Sequence, residues 1–230
     1  MKRWRLLLLP VLVSLPILLI LLALGTWQVE RLRWKTGLLA DFAAAEAGPA
    51  LPLANAPRPW SKVFTEGRFR NDREALLGLE VRGGVLGAHL LVPLERAGMR
   101  PLLVNRGWVP LERGARVSRP EGEVRVVGYV RPSEPHGLFS AHDDLTARHF
   151  YTLDIPVIGP ALGYDNLEPF ALVVLAPAGV QEEGLPQPAP TLPRPANNHL
   201  GYVVTWYGLA LALLGVFIVW ARARLKEPEE

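Results

Sequence analysis

The sequence predicts a membrane protein in which two transmembrane α-helices, one near each end, flank a mainly antiparallel β domain on the extracytoplasmic side. Two apolar runs, Leu6–Val29 and Leu200–Ala221, contain no charged side chain, and each reaches the roughly 20 residues that span a hydrocarbon core. The chain between them is long enough for one domain of ordinary size, and it is rich in short strand-like segments separated by turn residues.

The first predicted element is a transmembrane helix over residues 6–29. A cleaved signal peptide is the alternative, because the chain starts with basic residues and has small residues at Ala23 and Gly25. The apolar stretch Leu6–Leu24 is longer than the roughly 7–15 residues of a signal-peptide core. We therefore favour a retained anchor.

The charges beside the two apolar runs predict the orientation. Basic residues precede the first run and follow the second, at Lys2, Arg3, Arg5, Arg222, Arg224 and Lys226. The positive-inside rule then places both termini, including the tail 222–230, in the cytoplasm. Three basic residues at the other end of the first helix, Arg31, Arg33 and Lys35, oppose this orientation. We favour the orientation with cytoplasmic termini, because the basic residues at both termini agree on it.

Two connectors are predicted to join the domain, residues 36–185, to the helices. Residues 36–60 are rich in Ala and Pro and predict a short helix over Leu38–Ala47 followed by extended chain. Five prolines fall within residues 186–196. They predict a semi-rigid spacer before the second transmembrane helix, residues 200–221.

The domain itself is predicted to be a small antiparallel barrel or sandwich. Its candidate strands are short and rich in Val, Leu and aromatic residues: Lys62–Phe69, Ala75–Val81, Ala88–Leu94, Pro101–Val109, Glu123–Val130 and Phe170–Ala176. Turn signals at Gly83-Gly84, Ala97-Gly98 and Arg113-Gly114 indicate hairpin-like reversals rather than alternating strands and helices. One or two helical turns are predicted near Asp154–Leu162.

Composition excludes several classes of function. Residues 36–196 hold 16 Lys and Arg against 18 Asp and Glu, so the domain lacks the basic surface of a nucleic-acid binder. The chain has no cysteine. Thiolate copper sites, iron–sulfur clusters and covalently attached c-type haem are therefore excluded.

Two groups of residues in the domain invite a functional interpretation. Ser140, His142, Asp143, Asp144 and His149 resemble the parts of a triad or metal site, but a polar loop is favoured because a triad is not defined by sequence spacing. His89 and His136 are no stronger candidates. Asn105-Arg106-Gly107-Trp108 predicts a bulge in which Trp108 caps the core and Arg106 ties down a loop. A partner-docking role for Arg106 and Trp108 is the alternative.

The second apolar run has two distinct faces at about 100° per residue. One is a stripe of small residues, Gly201, Thr205, Gly208, Ala212 and Gly215, which predicts close packing of another helix. That helix is either Leu6–Trp27 or one from a partner. The other face, about 120° away, holds His199, Tyr202, Trp206, Leu209 and Leu213. His199 is thus expected to point away from the tightest helix contact, where it could ligate haem iron or simply cap the helix.

Taken in order, these segments resemble the surfeit locus protein one family, the membrane assembly factors of haem–copper cytochrome c oxidase. The resemblance runs through most of the chain: LGTWQVERLRWK at 24–35, GVLGAHLLVPL at 84–94, LLVNRGWVP at 102–110, VVGYVRPSEP at 126–135 and NNHLGYVVTWYGLALAL at 197–213.

The resemblance implies a non-enzymatic role: binding haem a as transient cargo and assisting its insertion into the large oxidase subunit at the plasma (inner) membrane. In bacterial members the second-helix histidine, here His199, is linked to haem a binding. Trp206, Tyr202 and Trp27 would line the ring, and Arg31 would meet a propionate. The implied partners are the large subunit and haem a synthase. A haem-free scaffold for an oxidase subunit and a membrane-anchored enzyme remain the alternatives.

Overall fold

A computed structural model describes residues 7–112, 114–138, 140–177, 184–194 and 196–226. The chain divides into two compact units, residues 1–41 with 194–230, and residues 42–193. The predicted start of the first helix at Leu6, the basic residues Lys2, Arg3 and Arg5, and residues 227–230 of the predicted tail lie outside the described residues.

Helix α1 spans Leu8–Ala47, so the predicted membrane helix and the predicted helix at 38–47 are one element of 40 residues. The prediction that a connector begins at residue 36 is therefore wrong. Good helix formers dominate residues 30–47, and the exposed Gly37 does not interrupt them. The helix ends at Gly48-Pro49, where the Gly48 N–H donates to the Ala44 carbonyl at 3.1 Å.

Helix α3 spans His199–Lys226, one residue earlier and five residues later than predicted. Both α1 and α3 are long and apolar enough to cross a membrane. Only 6% of the most apolar window of each helix is buried, whereas a core helix of a soluble domain would be mostly covered. The two helices therefore present apolar surface that suits a lipid environment.

The two long helices pack antiparallel within their unit. Gly25 lies against the ring of Tyr207, where a Cβ would come within 2.9 Å of the ring. The Thr26 and Tyr207 hydroxyls are 3.1 Å apart. Further along, a small apolar cavity of about 160 Å³ separates the helices and is lined by Val11, Ser14, Leu15, Leu18, Leu213, Leu214 and Phe217. The contact face of α3 thus includes Tyr207 and Phe217.

The second unit is a β domain with one short helix. Its strands are β1 (Leu51–Pro52), β2 (Lys62–Phe69), β3 (Ala75–Arg82), β4 (Val85–Glu95), β5 (Leu102–Pro110), β6 (Glu123–Pro132), β7 (His149–Phe150) and β8 (Phe170–Val174), and α2 spans Ile155–Ala161. All six predicted strands form, as does the predicted helical turn near 154–162.

Five strands close into a barrel in the order β2-β6-β8-β5-β4, with β4 returning to β2 through Arg68↔Glu95 and Phe69↔Leu94. Every pair in the barrel is antiparallel except β5 with β8. β3 pairs with the N-terminal part of β4, and β7 pairs in parallel with the other edge of β3. Of the two predicted architectures, the barrel is therefore confirmed.

The barrel core contains side chains from all five strands: Val63, Phe69, Leu90, Val92, Leu94, Leu102, Val104, Val109, Val126, Val130, Phe170 and Leu172. A second cluster packs α2 on the outside of the sheet, and there Leu91, Leu103 and Ala171 contact Phe150 and Ile158. Neighbouring residues of β4 and β5 thus enter different clusters, because successive side chains point to opposite faces of a strand.

The Pro-rich segment 186–196 differs from the predicted spacer. Gln187 pairs with Trp108 through two backbone hydrogen bonds of 2.8 and 2.9 Å, and the Ala189 N–H donates to the Val174 carbonyl at 2.9 Å. Leu192 is 1% exposed. The prolines alternate with residues that keep their N–H groups, so the segment can line a strand edge. Residues 186–193 therefore belong to the domain, whereas the chain from residue 194 onward belongs to the helical unit.

The turn predictions hold where the structure describes them. Gly83 and Gly84 link β3 to β4 with φ of +56° and +82°, and Gly98 lies between β4 and β5 with φ of +69°. These left-handed values favour glycine. Arg113 lies outside the described residues.

Candidate functional site

The first residue of α3 contacts α1 through a polar side chain. His199 Nδ1 lies 2.7 Å from Oε1 of Gln28. Gln28 is only 8% exposed, and Gly25 and Gln28 are the two buried residues of α1. The other imidazole nitrogen, Nε2, has no hydrogen-bond partner within the part of the chain that the structure describes. The half-buried His199 therefore has one nitrogen held and one available.

This contact corrects the expectation that His199 points away from the tightest helix contact. α1 packs on the face of α3 that carries His199, Tyr207 and Ala210, and Ala210 is 3% exposed. The choice of face follows from Gly25, which has no side chain and so admits the large Tyr207 ring. Periodicity along α3 alone could not reveal a complementary notch on α1.

Aromatic residues and an arginine lie on one flank of this contact. Arg31 is exposed, and its guanidinium carbon lies 5.6 Å from the Trp27 ring centroid and 5.5 Å from that of Trp34. Viewed from the N-terminus of each helix, Arg31 lies about 60° around α1 from Gln28. Tyr202 lies about 60° around α3 from His199 in the same rotational direction. Because the helices are antiparallel, both fall on the same flank.

That flank is open. Trp27 is 47% exposed and Tyr202 54%, whereas Trp206 is half-buried nearer the contact. Aromatic rings and a guanidinium therefore share one exposed surface of the helix pair, beside the half-buried imidazole of His199. Such a set can ligate a metal, stack on an apolar ring and pair with an anion.

The small-residue stripe lies on the side of α3 opposite α1. Its members Gly201, Thr205, Gly208, Ala212 and Gly215 are all exposed. A Cβ built on any of the three glycines would meet nothing within 4 Å. The first candidate occupant, Leu6–Trp27, is therefore not packed there, and the stripe is free for lipid or for a helix of another protein.

The Asn105–Trp108 segment forms a bulge in β5 and is used inside the domain. Trp108 is 5% exposed, and its indole N–H donates to the Glu80 carbonyl at 3.0 Å. The half-buried Arg106 donates to the Ser118 carbonyl at 2.7 Å and lies over the Phe69 ring at 4.8 Å. Burial lowers the pKa of Arg106. This geometry matches a Trp that caps the core and an Arg that ties down a loop.

Beside the predicted polar loop, one histidine lies between two aspartates. His136 Nε2 lies 2.9 Å from Asp143 Oδ2, and its Nδ1 lies 3.0 Å from Asp154 Oδ2. Hydrogen bonding to Asp154 and the charge of Asp143 raise the pKa of His136. Ser140 Oγ accepts from the Gly137 N–H instead of facing an imidazole. Among the described residues no group of three or more His, Asp or Glu is placed to hold a metal ion.

His89 is a second partnered histidine in the domain. Its Nε2 lies 3.0 Å from Glu80 Oε2, while Arg82 donates to both oxygens of the same carboxylate at 2.7 and 3.1 Å. Burial lowers the pKa of His89 although Glu80 opposes the shift. The arrangement braces the β3–β4 hairpin.

Comparison with known proteins decides the family. The SURF1 family model matches residues 15–211. The chain belongs to the SURF1 family. This is the family of cytochrome oxidase assembly factors, so the family predicted from the sequence is confirmed.

Individual relatives resemble the chain over nearly its full length. It is 29% identical to Surfeit locus protein 1 of Xenopus tropicalis over 91% of this chain and 72% of that protein. It is 28% identical to a SURF1-like protein of Rickettsia felis over 88% and 92% of the two chains. The human Surfeit locus protein 1 is 29% identical over 91% and 74%. The bacterial relative places members of the SURF1 family in organisms whose respiratory membrane is the plasma membrane.

The SURF1-like segments quoted from the sequence map to both units. Residues 24–35 lie in the middle of α1, and residues 197–213 include the first half of α3. Residues 84–94 and 102–110 form most of the paired strands β4 and β5. Sequence reasoning chose His199, Trp27 and Arg31 but missed Gln28. The missed signal was a polar side chain within an apolar run of a membrane helix.

Proposed function

We propose that this SURF1-family chain holds haem a as transient cargo on the flank of the α1–α3 pair and assists its insertion into the large subunit of the oxidase. The observation that carries the proposal is the His199–Gln28 contact of 2.7 Å, which leaves Nε2 without a partner among the described residues. A neutral imidazole with one nitrogen held and the other open is a typical haem ligand.

The neighbouring side chains match the other parts of haem. The porphyrin ring is a large apolar plate, and Trp27, Tyr202 and Trp206 offer rings for it. Haem also carries two propionates, and Arg31 lies beside Trp27 with no carboxylate partner within the described residues. A partly exposed guanidinium is a suitable propionate contact, although a weaker one than an axial bond.

An open flank suits a carrier better than an enzyme. The exposure of Trp27 and Tyr202 lets a flat ligand enter and leave sideways without opening the helix pair. No covalent step is needed for such a transfer, so we propose that the chain is not an enzyme. Haem a synthase would be the donor and the large oxidase subunit the acceptor.

We expect His199→Ala to abolish haem retention, because it removes the imidazole that would hold the iron, and Arg31→Ala to reduce it only partly. The measurement is the haem-to-protein ratio and visible spectrum of the full chain purified from cells that make haem a. His142→Ala is the matched control, since His142 is an exposed histidine of the β domain. A full haem load and an unchanged spectrum in His199→Ala would contradict the proposal.

A haem-free scaffold is the second candidate, and the exposed stripe Gly201–Gly215 favours it. Three glycines with open space around them allow a foreign helix to approach closely. The two functions are separated by asking whether His199→Ala still captures the large oxidase subunit in detergent. Capture without haem supports the scaffold, whereas loss of both supports the carrier.

We further propose that both termini are cytoplasmic and that the β domain is extracytoplasmic, because basic residues precede the first apolar run and follow the second. The chain has no cysteine, so single cysteines can be introduced on a clean background. Leu138→Cys lies at a position that is 99% exposed and should react with an impermeant thiol reagent in whole cells. Glu229→Cys should react only after lysis, and the reverse pattern would invert the orientation.

A further inference from the structure

We propose that Gln28 is the positioning residue that fixes the tautomer and orientation of His199 for binding haem iron through Nε2. This inference rests on the proposed haem-carrier function and adds to it a residue of α1.

The hydrogen bond itself determines where the imidazole proton lies. The Oε1 atom of Gln28 is a carbonyl oxygen, which can only accept, and it lies 2.7 Å from Nδ1 of His199. Nδ1 must therefore carry the proton. In a neutral imidazole the lone pair then lies on Nε2, and this is the nitrogen without a partner in the described residues.

Burial makes this arrangement costly to break. Gln28 is 8% exposed and lies in the apolar run of α1. A buried amide without a hydrogen-bond partner is strongly unfavourable in an apolar environment. The amide therefore holds the imidazole in one orientation, and the ring is ready before any ligand arrives.

The choice of an amide rather than a carboxylate has a functional consequence. Histidines that bind metals commonly donate their second N–H to a carboxylate or a carbonyl oxygen, and this contact raises the basicity of the ligating nitrogen. A neutral amide oxygen raises it less than a charged carboxylate would. Gln28 would thus orient His199 while leaving the imidazole a weaker iron ligand than a carboxylate-bound histidine, which suits a cargo that must be released.

A purely structural role for Gln28 would be to hold α1 against α3. Thr26 makes another polar side-chain contact, to Tyr207 at 3.1 Å, on the same helix pair, although it is more exposed. Thr26→Val removes that contact without touching His199, so it is the matched control for helix packing. A positioning residue must affect the haem spectrum and haem retention, which Thr26→Val should leave unchanged.

The experiment compares Gln28→Leu, Gln28→Glu, Thr26→Val and His199→Ala in full chains purified from cells making haem a. The readouts are the visible spectrum, the reduction potential of the bound haem, and the rate of haem loss to excess apomyoglobin. We expect Gln28→Leu to lose haem about 10- to 100-fold faster, as is typical when the partner of a ligating histidine is removed. Gln28→Glu should slow haem loss and lower the reduction potential.

The outcomes separate this inference from the proposed function. Loss of haem in His199→Ala together with wild-type retention, spectrum and potential in both Gln28 variants overturns the inference and leaves the carrier function standing. Retention of haem in His199→Ala overturns both. Equal weakening by Gln28→Leu and Thr26→Val, with no change of potential in Gln28→Glu, assigns Gln28 to helix packing and also overturns the inference.

Discussion

Replacing Glu168 with alanine should destabilise the β domain by about 3–5 kcal/mol, because it leaves a buried guanidinium without its counter-ion. Arg96 Nη2 lies 2.6 Å from Glu168 Oε1, and the two side chains are 2% and 15% exposed. The guanidinium also donates twice to the Arg100 carbonyl, at 3.0 and 2.6 Å. These neutral contacts cannot replace the missing charge.

The measurement is urea unfolding of the full chain in detergent, followed by tryptophan fluorescence, to which Trp60 and Trp108 contribute from the β domain. Glu134→Ala is the control, since the Arg131–Glu134 pair at 3.2 Å is largely exposed and should contribute less than about 1 kcal/mol. Arg96→Met combined with Glu168→Leu should recover much of the stability, because a buried ion pair can be replaced by apolar side chains. Equal effects of Glu168→Ala and Glu134→Ala would refute the assignment.

The second large effect is expected for Gly107→Ala, which should cost about 3 kcal/mol or more through backbone strain and loss of adjacent pairing. Gly107 has φ of +122°, a region that alanine avoids. A Cβ there would also collide with the Gln187 carbonyl and lie 2.7 Å from the Pro188 nitrogen. Moving that segment would break both Trp108–Gln187 hydrogen bonds.

Gly98→Ala separates strain from collision. Gly98 has φ of +69°, yet nothing lies within 4 Å of its built Cβ, so the substitution should cost only about 1 kcal/mol. Comparing the two variants in the same unfolding experiment isolates the contribution of the 184–188 segment. A Gly107→Ala variant as stable as Gly98→Ala would show that this segment is not fastened to β5.

The strands were predictable because their information is local. The Leu- and Val-rich run of β4 and the glycines between strands specify each segment within about ten residues of chain. Barrel closure was not predictable, because β8 enters between β5 and β6, far from either in sequence. The connectors were misjudged for the same reason. The surroundings determine whether α1 continues past its apolar run. They also determine whether a segment whose prolines alternate with hydrogen-bonding residues pairs with a strand.

The candidate site was partly predictable. His199, Trp27 and Arg31 stand out at the boundary of an apolar run, and such residues mark interfaces. Gln28 does not stand out, because one uncharged polar residue hardly changes the mean hydropathy of a long apolar run. The orientation of α3 was also missed, because Gly25 selects Tyr207 as its neighbour and that match is not visible within either helix alone.

The position of β8 also governs when the domain can form. During synthesis at about 5–20 residues per second, several seconds separate the emergence of β6 from that of β8. Until Phe170–Val174 is available, β5 and β6 each have an unpaired edge where β8 will lie. Exposed edges of this kind recruit other strands and promote aggregation. Anchoring by α1 would keep each nascent domain apart from its neighbours through that interval, so the first helix can protect folding as well as fix location.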